Sequence, residues 1–293
     1  GESSSARLSA SAAGSWAFLF AIVVTMTSTH GNEKTEVKLG KGGSTGGLAT
    51  GGVRHVVVFD FDFSLINANS DTWILRRLIP KRAEQVLAQR NEIQWTKLMH
   101  KAAGVMHKEG VTPEAMKKKF AEIPFYKEMR EAVYRMADQG HKIYILSDAN
   151  TVYIESILDA FEGLSKCFQH IYSNPAHFDS TGRLHIKPYH SSSHGCKTCP
   201  VNLCKSVVLR EILAAEGVDL DSKDEKGPRV LYVGDGGNDV CPARVLRKVD
   251  VVAARAKYRL DKILTENPAD AILSRWANGE EAVTVFREHK FLN

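Results

Sequence analysis

The sequence lacks several features that would place it in other classes of protein. Its 293 residues contain no apolar run long enough for a membrane-spanning helix, since the run at residues 16–26 has only 11 residues. No basic block with interleaved aromatic residues is present, and 39 Lys and Arg against 34 Asp and Glu give a net charge of only +5. We therefore expect neither a stable membrane span nor a nucleic-acid partner. The mild positive charge suits a small anionic substrate.

Cysteine is also scarce, and the five cysteines are an odd number. This count does not favour a disulfide framework and indicates a reducing, cytoplasmic compartment. Residues 16–26, preceded by Arg7, could instead be the core of a signal peptide. Alternatively, Met26 could be the true start, which would leave residues 1–25 untranslated. Glycine-rich sequence follows, and we expect residues 1–52 to form a disordered leader and linker. The sequence does not indicate an oligomeric state.

From about residue 53 onward, short apolar runs alternate with helical segments. Helices are predicted at residues 128–139 and 203–216, each followed by a glycine. Alternating strands and helices predict an α/β fold with a doubly wound parallel sheet. Residues 170–189 are predicted to form a β-hairpin around residues 179–182. The runs predicted to be strands are residues 56–59, 143–146, 230–233, 249–252 and 271–273.

The segment 70–126 breaks this alternation because it is helical and contains no strand-like run. The Thr112-Pro113 pair marks a helix start within it, with Thr as N-cap and Pro as first helical residue. We predict that residues 70–126 form a helical cap inserted after the first strand. Residues 53–69 and 127–293 would then form the α/β core.

Three predicted strands end in polar side chains. These are Asp60 and Asp62, Ser147 and Asp148, and Asp235, Asn238 and Asp239. Because the carboxyl ends of parallel strands lie at one edge of a sheet, these side chains are expected to share a pocket. Crowded carboxylates repel one another unless a cation compensates, and an all-oxygen set favours Mg²⁺.

The residue types in this pocket suit phosphoryl transfer. Asp60 and Asp62 can both face the pocket only if the chain leaves extended geometry after the strand. One can then attack phosphorus, while the other protonates the leaving oxygen and later deprotonates water. Ser147 offers a hydroxyl to a phosphate oxygen, and Lys205, at a predicted helix start, offers a positive charge.

The order of these motifs resembles the haloacid dehalogenase superfamily of phosphatases: D-x-D-x-[ST] after a strand, an apolar strand ending in Ser, a Lys, then G-D-x-x-N-D. Residues 69–72, 146–151 and 199–205 look closer still to motifs of the phosphoethanolamine/phosphocholine phosphatase family, which includes related pyrophosphatases and thiamine- or pyridoxal-phosphate phosphatases. The similarity runs from about residue 54 to 290. It implies a capped α/β core and a Mg²⁺-dependent phosphatase that forms an aspartyl phosphate. Ser64 stands where the superfamily usually has Thr and keeps the hydroxyl.

The resemblance also implies how the metal is held. Asp60 would be both nucleophile and Mg²⁺ ligand. Asp62 would be the general acid and base, and would bind Mg²⁺ through its backbone carbonyl. Asp235 would be the third protein ligand. Asn238 and Asp239 would hold the ligands in position without binding the metal themselves.

On the substrate side, the resemblance implies that Ser147 and Lys205 hold the phosphate and that Asp71 and Asp148 contact the rest of the molecule. Acidic residues there would pair with a cationic amine, which favours phosphoethanolamine or phosphocholine. Inorganic pyrophosphate, thiamine monophosphate and pyridoxal phosphate are alternative substrates. A non-catalytic phosphometabolite-binding protein and a phosphotransferase with an acceptor other than water are alternatives of a different kind.

Simpler structural interpretations stay open for several of these residues. Ser147 could cap the following helix, Lys205 could be a surface lysine, and Asp71 could be a first-turn acid that interacts with a helix dipole. Asp148 is open in the same way. Trp95, in the cap, is expected to pack in the core rather than to contact a ligand.

Cysteine and histidine cluster before the predicted helix at 203–216. A Cys-x2-Cys pair beside histidines is a common zinc-ligand pattern. The group does not form two clear ligand pairs, so we favour reduced thiols that shape the loop, and metal binding by the cysteines stays open. The residues concerned are His190, His194, Cys196, Cys199 and Cys204.

Overall fold

The computed structural model describes residues 54–221 and 227–293, so the expectation for residues 1–52 lies outside the described residues. The strands are β1 (Val56–Phe59), β2 (Lys142–Asn150), β3 (His170–Asn174), β4 (Ala176–Phe178), β5 (Leu184–Ile186), β6 (Val230–Gly234), β7 (Val251–Arg255) and β8 (Ile272–Trp276). The helices are α1 (Ser70–Leu78), α2 (Pro80–Leu87), α3 (Trp95–Lys108), α4 (Pro113–Phe120), α5 (Lys127–Asp138), α6 (Thr151–Leu158), α7 (Lys205–Ala215), α8 (Val240–Ala243), α9 (Arg259–Glu266) and α10 (Gly279–Glu288).

Six strands form one parallel sheet in the order β3-β2-β1-β6-β7-β8. The order reverses at β1, since β2 and β3 extend to one side and β6, β7 and β8 to the other. In such sheets ligands bind outside the carboxyl ends of the strands, where the order reverses. The prediction of an α/β fold with a parallel sheet is confirmed.

Apolar side chains cover both faces of this sheet. Along β1, Val57 and Phe59 pack into one hydrophobic cluster, and Val56 and Val58 pack into a second one. Helices α5, α6 and α10 contribute to the first cluster, and helices α7 and α9 to the second. Burial on both faces explains why β1 is apolar throughout rather than alternating.

The edge of the sheet differs from the prediction. Residues 170–189 do not form a single hairpin, because β3 pairs in parallel with β2 and only β4 and β5 form the hairpin, around residues 179–182. His170, which opens β3, is exposed and Tyr172 is half-buried. This half-polar pattern is typical of an edge strand. It lacks the continuous apolar run from which the other parallel strands were predicted, so the pairing of β3 with β2 was not foreseen.

Helices α1 to α4 lie between β1 and α5, and no strand interrupts them. Thr112 caps α4 by accepting a hydrogen bond from the Ala115 N–H at 3.2 Å, and Pro113 is the first helical residue, as predicted. Apolar residues of these helices join the first cluster; Phe120 of α4 packs against Tyr153 of α6 with ring centroids 4.8 Å apart. Over residues 54–221 and 227–293, no helix combines the length and apolar character needed to cross a membrane.

Candidate active site

A tight turn after β1 presents both aspartates of the first motif. Residues Phe61–Leu65 form one helical turn in which Asp62 keeps an extended ψ of 131° and Phe63 takes a left-handed φ of 55°. The chain therefore does leave extended geometry here. A non-glycine residue in that conformation costs about 1–2 kcal/mol, and the Phe63 N–H is fixed by a 3.0 Å hydrogen bond to the Ala68 carbonyl. Asp60 and Asp62 consequently line the same cavity.

Lys205 is the buried cation of the site. Its side chain is 1% exposed, and its Nζ lies 2.8 Å from Asp60 Oδ1 and 2.7 Å from Asp239 Oδ1. Burial alone would lower the pKa of this ammonium, but the two carboxylates raise it above its usual range. Lys205 is therefore charged, and the interpretation as a surface lysine at a helix start is wrong.

Asp239 fixes the geometry of the loop after β6. Its Oδ1 accepts hydrogen bonds from Lys205 Nζ and from the Tyr232 hydroxyl, each at 2.7 Å. Its Oδ2 accepts from the backbone N–H groups of Asp235 at 3.1 Å and Gly236 at 2.8 Å. A Cβ at Gly234 would stand 2.8 Å from the Asp239 side chain, so the close approach requires glycine there. With both oxygens fully engaged, Asp239 positions its neighbours.

The carboxylates crowd at the ends of β1 and β6. Oxygen atoms of Asp60, Asp235 and Asp239 all lie within 4.8 Å of one another. Burial and then Asp239 raise the pKa of Asp60 well above its usual value, and the same two causes raise the pKa of Asp235 to about 7. A single Lys205 leaves part of this negative charge uncompensated. An all-oxygen donor set with excess negative charge fits a hard divalent cation such as Mg²⁺.

The hydrogen-bond partners of Asp62 differ from those of Asp60. Asp62 Oδ2 accepts a hydrogen bond from Asn69 Nδ2, and Asp62 Oδ1 accepts one from the Ser70 N–H, both at 2.9 Å. Burial, and then the charge of Asp71, raise its pKa well above the usual value. A raised pKa suits a proton donor. Asp60, whose pKa is raised too, differs in being paired with the Lys205 cation.

One cavity of about 630 Å³ collects most of the predicted site residues. A volume of this size suits a small metabolite. Ser147 and Lys205 do not line it; both are almost completely buried, and Lys205 reaches the cavity through Asp60. The predicted residues that line it are Asp60, Asp62, Asp71, Asp148, Asp235 and Asn238.

Ser147 does not cap the helix that follows it. The N-cap of α6 is Asn150, whose side chain accepts a hydrogen bond from the Tyr153 N–H at 3.1 Å. Ser147 instead accepts a hydrogen bond from the Ala149 N–H at 3.2 Å, within the last residues of β2. The N-cap interpretation is therefore wrong, and the hydroxyl hydrogen of Ser147 is left to donate elsewhere.

Asp71 and Asp148 form an acidic wall of the cavity. Asp71 lies in the first turn of α1, where its Oδ2 accepts a 2.8 Å hydrogen bond from Trp95 Nε1. Its Oδ1 is buried without a hydrogen-bond partner among the described residues. Burial raises the pKa of Asp71 to about 7 despite the Trp95 hydrogen bond, and Asp148 adds to the rise. Burial likewise raises the pKa of Asp148, against the nearby Lys205 charge.

Several residues of the cavity wall were not foreseen. Trp95, which was expected in the core, is half-buried and packs against it, and it also lines the cavity and orients Asp71. Two exposed arginines, Arg244 and Arg259, also line it, and the Arg259 guanidinium lies against Gly237, where a Cβ would approach its Nε to 2.8 Å. Arg244 directly follows α8 and Arg259 begins α9. Exposed arginines at helix ends carry no signal in a single sequence, and only the fold brings them to the cavity.

The parallel sheet, the carboxylates at the carboxyl ends of its strands and the sequence similarity to known phosphatases together identify a phosphatase of the haloacid dehalogenase superfamily. The fold agrees with that of a substrate-bound phosphoserine phosphatase, with a TM-score of 0.54 over 79% of this chain and 98% of the other, at 15% identity. The chain belongs to the Putative Phosphatase family, whose model matches residues 55–289. It is a phosphoric monoester hydrolase.

Curated relatives in this family have diverse names. Pyridoxal phosphate phosphatase PHOSPHO2 of Mus musculus is 35% identical over 243 residues, covering 79% of this chain and 97% of the relative. Inorganic pyrophosphatase 2 of Arabidopsis thaliana is 32% identical over 239 residues, covering 80% of this chain and 82% of the relative. The family resemblance inferred from the motifs is therefore confirmed at the level of the superfamily and its phosphatases.

Proposed function

We propose that this protein hydrolyses small phosphate monoesters with Mg²⁺, by transferring the phosphoryl group to Asp60 and then to water. The observation that carries the proposal is the placement of Asp60. Its carboxylate is at the cavity, yet its Oδ1 is 2.8 Å from the Lys205 ammonium and 2.7 Å from the Phe61 N–H. These two donors orient the carboxylate, and the Lys205 charge opposes the rise in its pKa that burial and Asp239 cause. The ionised form is the one that attacks phosphorus.

Asp62 donates a proton in the first step and accepts one in the second. In the first step a bond forms between Asp60 and phosphorus, the bond to the leaving oxygen breaks, and that oxygen takes the proton of Asp62. In the second step the Asp62 carboxylate removes a proton from water, whose oxygen attacks phosphorus and releases Asp60. The raised pKa of Asp62 supports the first role, and its hydrogen bonds from Asn69 and Ser70 hold the carboxyl in place for the second.

Mg²⁺ would be held by the carboxylates of Asp60 and Asp235 and by the backbone carbonyl of Asp62, with Asn238 and Asp239 behind them. When bound it supplies positive charge that offsets the repulsion between the phosphate and the carboxylate nucleophile. The crowding of Asp60, Asp235 and Asp239 supports this assignment. In the same proposal, Lys205 and the free hydroxyl hydrogen of Ser147, both buried behind the residues that line the cavity, would stabilise the phosphate.

Removing the metal tests this assignment. We expect phosphate release by the full chain to fall to background in EDTA and to return when Mg²⁺ alone is added in excess. Calcium, which prefers more ligands and longer bonds, should restore little activity. Undiminished turnover in EDTA would contradict the magnesium assignment. Adding an alcohol and measuring alkyl phosphate would separate hydrolysis from phosphotransfer.

A cationic amine on the substrate fits the acidic wall of the cavity. Asp71 and Asp148 lie beside the indole of Trp95, and a buried carboxylate oxygen of Asp71 lacks a partner among the described residues. A substrate ammonium would pair with these charges, and an adjacent aromatic ring adds to the attraction. We therefore favour phosphoethanolamine or phosphocholine. Pyridoxal phosphate and thiamine monophosphate, which also carry cationic nitrogen, belong to the same chemical class.

Inorganic pyrophosphate is the second candidate. Arg244 and Arg259 line the cavity and are exposed, so that either could bind a second phosphate. The similarity to a relative named inorganic pyrophosphatase supports this alternative. Pyrophosphate carries no cation that could pair with the acidic wall. The two candidates therefore differ in the residues that would bind them: Asp71 and Asp148 for a cationic amine, and Arg244 or Arg259 for a second phosphate.

Two variants separate these candidates. We expect Asp71→Asn to raise KM for phosphoethanolamine about tenfold, the loss of one partly screened charge pair, while KM for p-nitrophenyl phosphate changes little. Arg259→Gln should leave KM for phosphoethanolamine nearly unchanged. If pyrophosphate is the substrate, Arg259→Gln will raise its KM and Asp71→Asn will not. Equal effects of Asp71→Asn on phosphoethanolamine and p-nitrophenyl phosphate would refute amine recognition.

A further inference from the structure

Four of the five cysteines meet at one point, away from the carboxylates. The sulfur atoms of Cys196, Cys199, Cys204 and Cys241 all lie within 4.8 Å of one another, and those of Cys196 and Cys241 are 3.8 Å apart. The first three belong to the loop between β5 and α7, and Cys241 belongs to α8. All four are free cysteines.

The distance between sulfur atoms distinguishes a disulfide bond from the shared binding of one metal ion. A disulfide requires sulfur atoms about 2.05 Å apart. Four thiolates around one zinc ion, with Zn–S bonds of about 2.3 Å in a tetrahedron, stand about 3.8 Å from one another. The distance between Cys196 and Cys241 matches the second arrangement. We propose that Cys196, Cys199, Cys204 and Cys241 bind one structural zinc ion.

The loop that carries three of these cysteines has little else to hold it. It runs from residue 187 to 204 without a helix or strand, and residues 191–198 are mostly exposed. Irregular loops of this length are uncommon in compact domains. Burial of apolar side chains cannot fix residues 191–198, because the buried residues are concentrated at the end of the loop. A metal bound by Cys196 and Cys199 would supply the missing constraint.

Of the two nearby histidines, His194 is used for other contacts within the loop. His194 Nδ1 accepts a hydrogen bond from the Cys196 N–H at 3.2 Å, and its Nε2 contacts the Pro200 carbonyl at 3.0 Å. His194 thus connects two backbone groups of the loop through its ring nitrogens. Among the described residues, the metal-competent group here consists of cysteines, and neither His190 nor His194 joins it.

Hydrogen-bonding groups surround the cysteines. The Ser206 Oγ lies 3.3 Å from Cys204 Sγ and accepts a 3.0 Å hydrogen bond from the Cys241 thiol. With these sulfur atoms bound to a metal, the Ser206 hydroxyl would be in place to donate to one of them. Backbone N–H groups of Thr198 and Cys199 face the Cys196 sulfur. Such donors offset the negative charge of a four-thiolate site and orient its ligands.

The proposed zinc site would connect the two segments that deliver Lys205 and Asp239. Cys204 immediately precedes Lys205, and Cys241 lies two residues after Asp239. Lys205 and Asp239, which form a 2.7 Å ion pair, therefore each lie within two residues of a proposed zinc ligand. This consequence rests on the proposed function, whereas zinc binding itself does not.

Zinc content and cobalt spectra test the proposal without measuring turnover. The full chain, purified without chelators in the presence of zinc, is expected to hold one zinc ion per chain by mass spectrometry. Cobalt substitution should produce the intense near-ultraviolet thiolate-to-cobalt bands of a four-sulfur site. Cys241→Ser should lose the zinc ion or weaken these bands, and Cys167→Ser, which changes the cysteine outside the group, should keep both. Asp60→Asn should also keep both, which separates this site from the carboxylates.

The wild-type chain keeps the proposal falsifiable even if Cys241→Ser fails to fold. Wild-type protein that holds no zinc after incubation with zinc under reducing conditions would overturn it. So would a cobalt complex without thiolate bands, or a folded Cys241→Ser variant with the zinc content and spectrum of Cys167→Ser. A wild-type protein that binds no zinc but keeps Mg²⁺-dependent activity would reject the zinc site and leave the proposed function standing.

Discussion

Replacing Asp60 with Asn is expected to lower kcat for phosphate release by about 10³-fold or more, the size of effect seen when a covalent nucleophile is removed. The amide keeps the shape of the carboxylate but cannot attack phosphorus. The fold should survive, because Lys205 retains Asp239 as a partner at 2.7 Å. Burial and Asp239 raise the pKa of Asp60, so losing this carboxylate relieves repulsion and should leave the melting temperature equal or higher.

Melting temperature and kcat measured together separate lost chemistry from lost structure. Asp138→Asn is the matched control, since Asp138 is exposed at the end of α5. It should change neither quantity. Retention of more than a tenth of the wild-type kcat by Asp60→Asn would mean that another group receives the phosphoryl group.

Replacing Lys205 with Met should lower the free energy of unfolding by about 3–5 kcal/mol, because it leaves buried carboxylates without their cation. Lys205 is 1% exposed and contacts Asp60 and Asp239 within 2.8 Å, so water cannot take its place without rearrangement. Activity should also fall sharply, since Asp60 would lose the donor that orients it. Lys187→Met, at an exposed lysine, is the control.

Urea unfolding of both variants, with Mg²⁺ absent, measures the difference. If Lys205→Met unfolds within about 1 kcal/mol of Lys187→Met, as is usual for surface substitutions, then the buried ion pairs do not hold this region together. In that case the stability of the loop after β6 would have to come from Tyr232 and the backbone hydrogen bonds to Asp239.

The strand-end carboxylates could be predicted because each follows a short apolar run. β1 is buried on both faces, so its end at Asp60 is visible as the point where an apolar run meets a charge. Parallel pairing of β1 with β6 then brings Asp60 and Asp235 together, although 175 residues separate them. Local pattern and a general rule for parallel sheets are sufficient for this part of the site.

Other parts of the site depend on contacts that no local pattern records. Lys205 begins a helix, and only the packing of α7 against the sheet shows that its side chain is buried between two carboxylates. Cys241 is 37 residues beyond Cys204, and α8 returns it to the loop. Trp95 had the apolar character of a core residue, but its indole N–H binds Asp71 at the cavity. The roles and domain bounds assigned from the sequence stay predictions.

Trapping the phosphorylated protein tests the central claim most directly. Asp62→Asn would be mixed with Mg²⁺ and ³²P-labelled p-nitrophenyl phosphate, whose leaving group needs no proton, and quenched in acid. Without Asp62 to activate water, the second step should slow and covalent label should accumulate. We predict that the label is on the peptide containing Asp60, is released by hydroxylamine, and is absent when Asp60 is also changed to Asn. Label on another residue, or turnover by Asp62→Asn without any covalent label, would contradict transfer through Asp60.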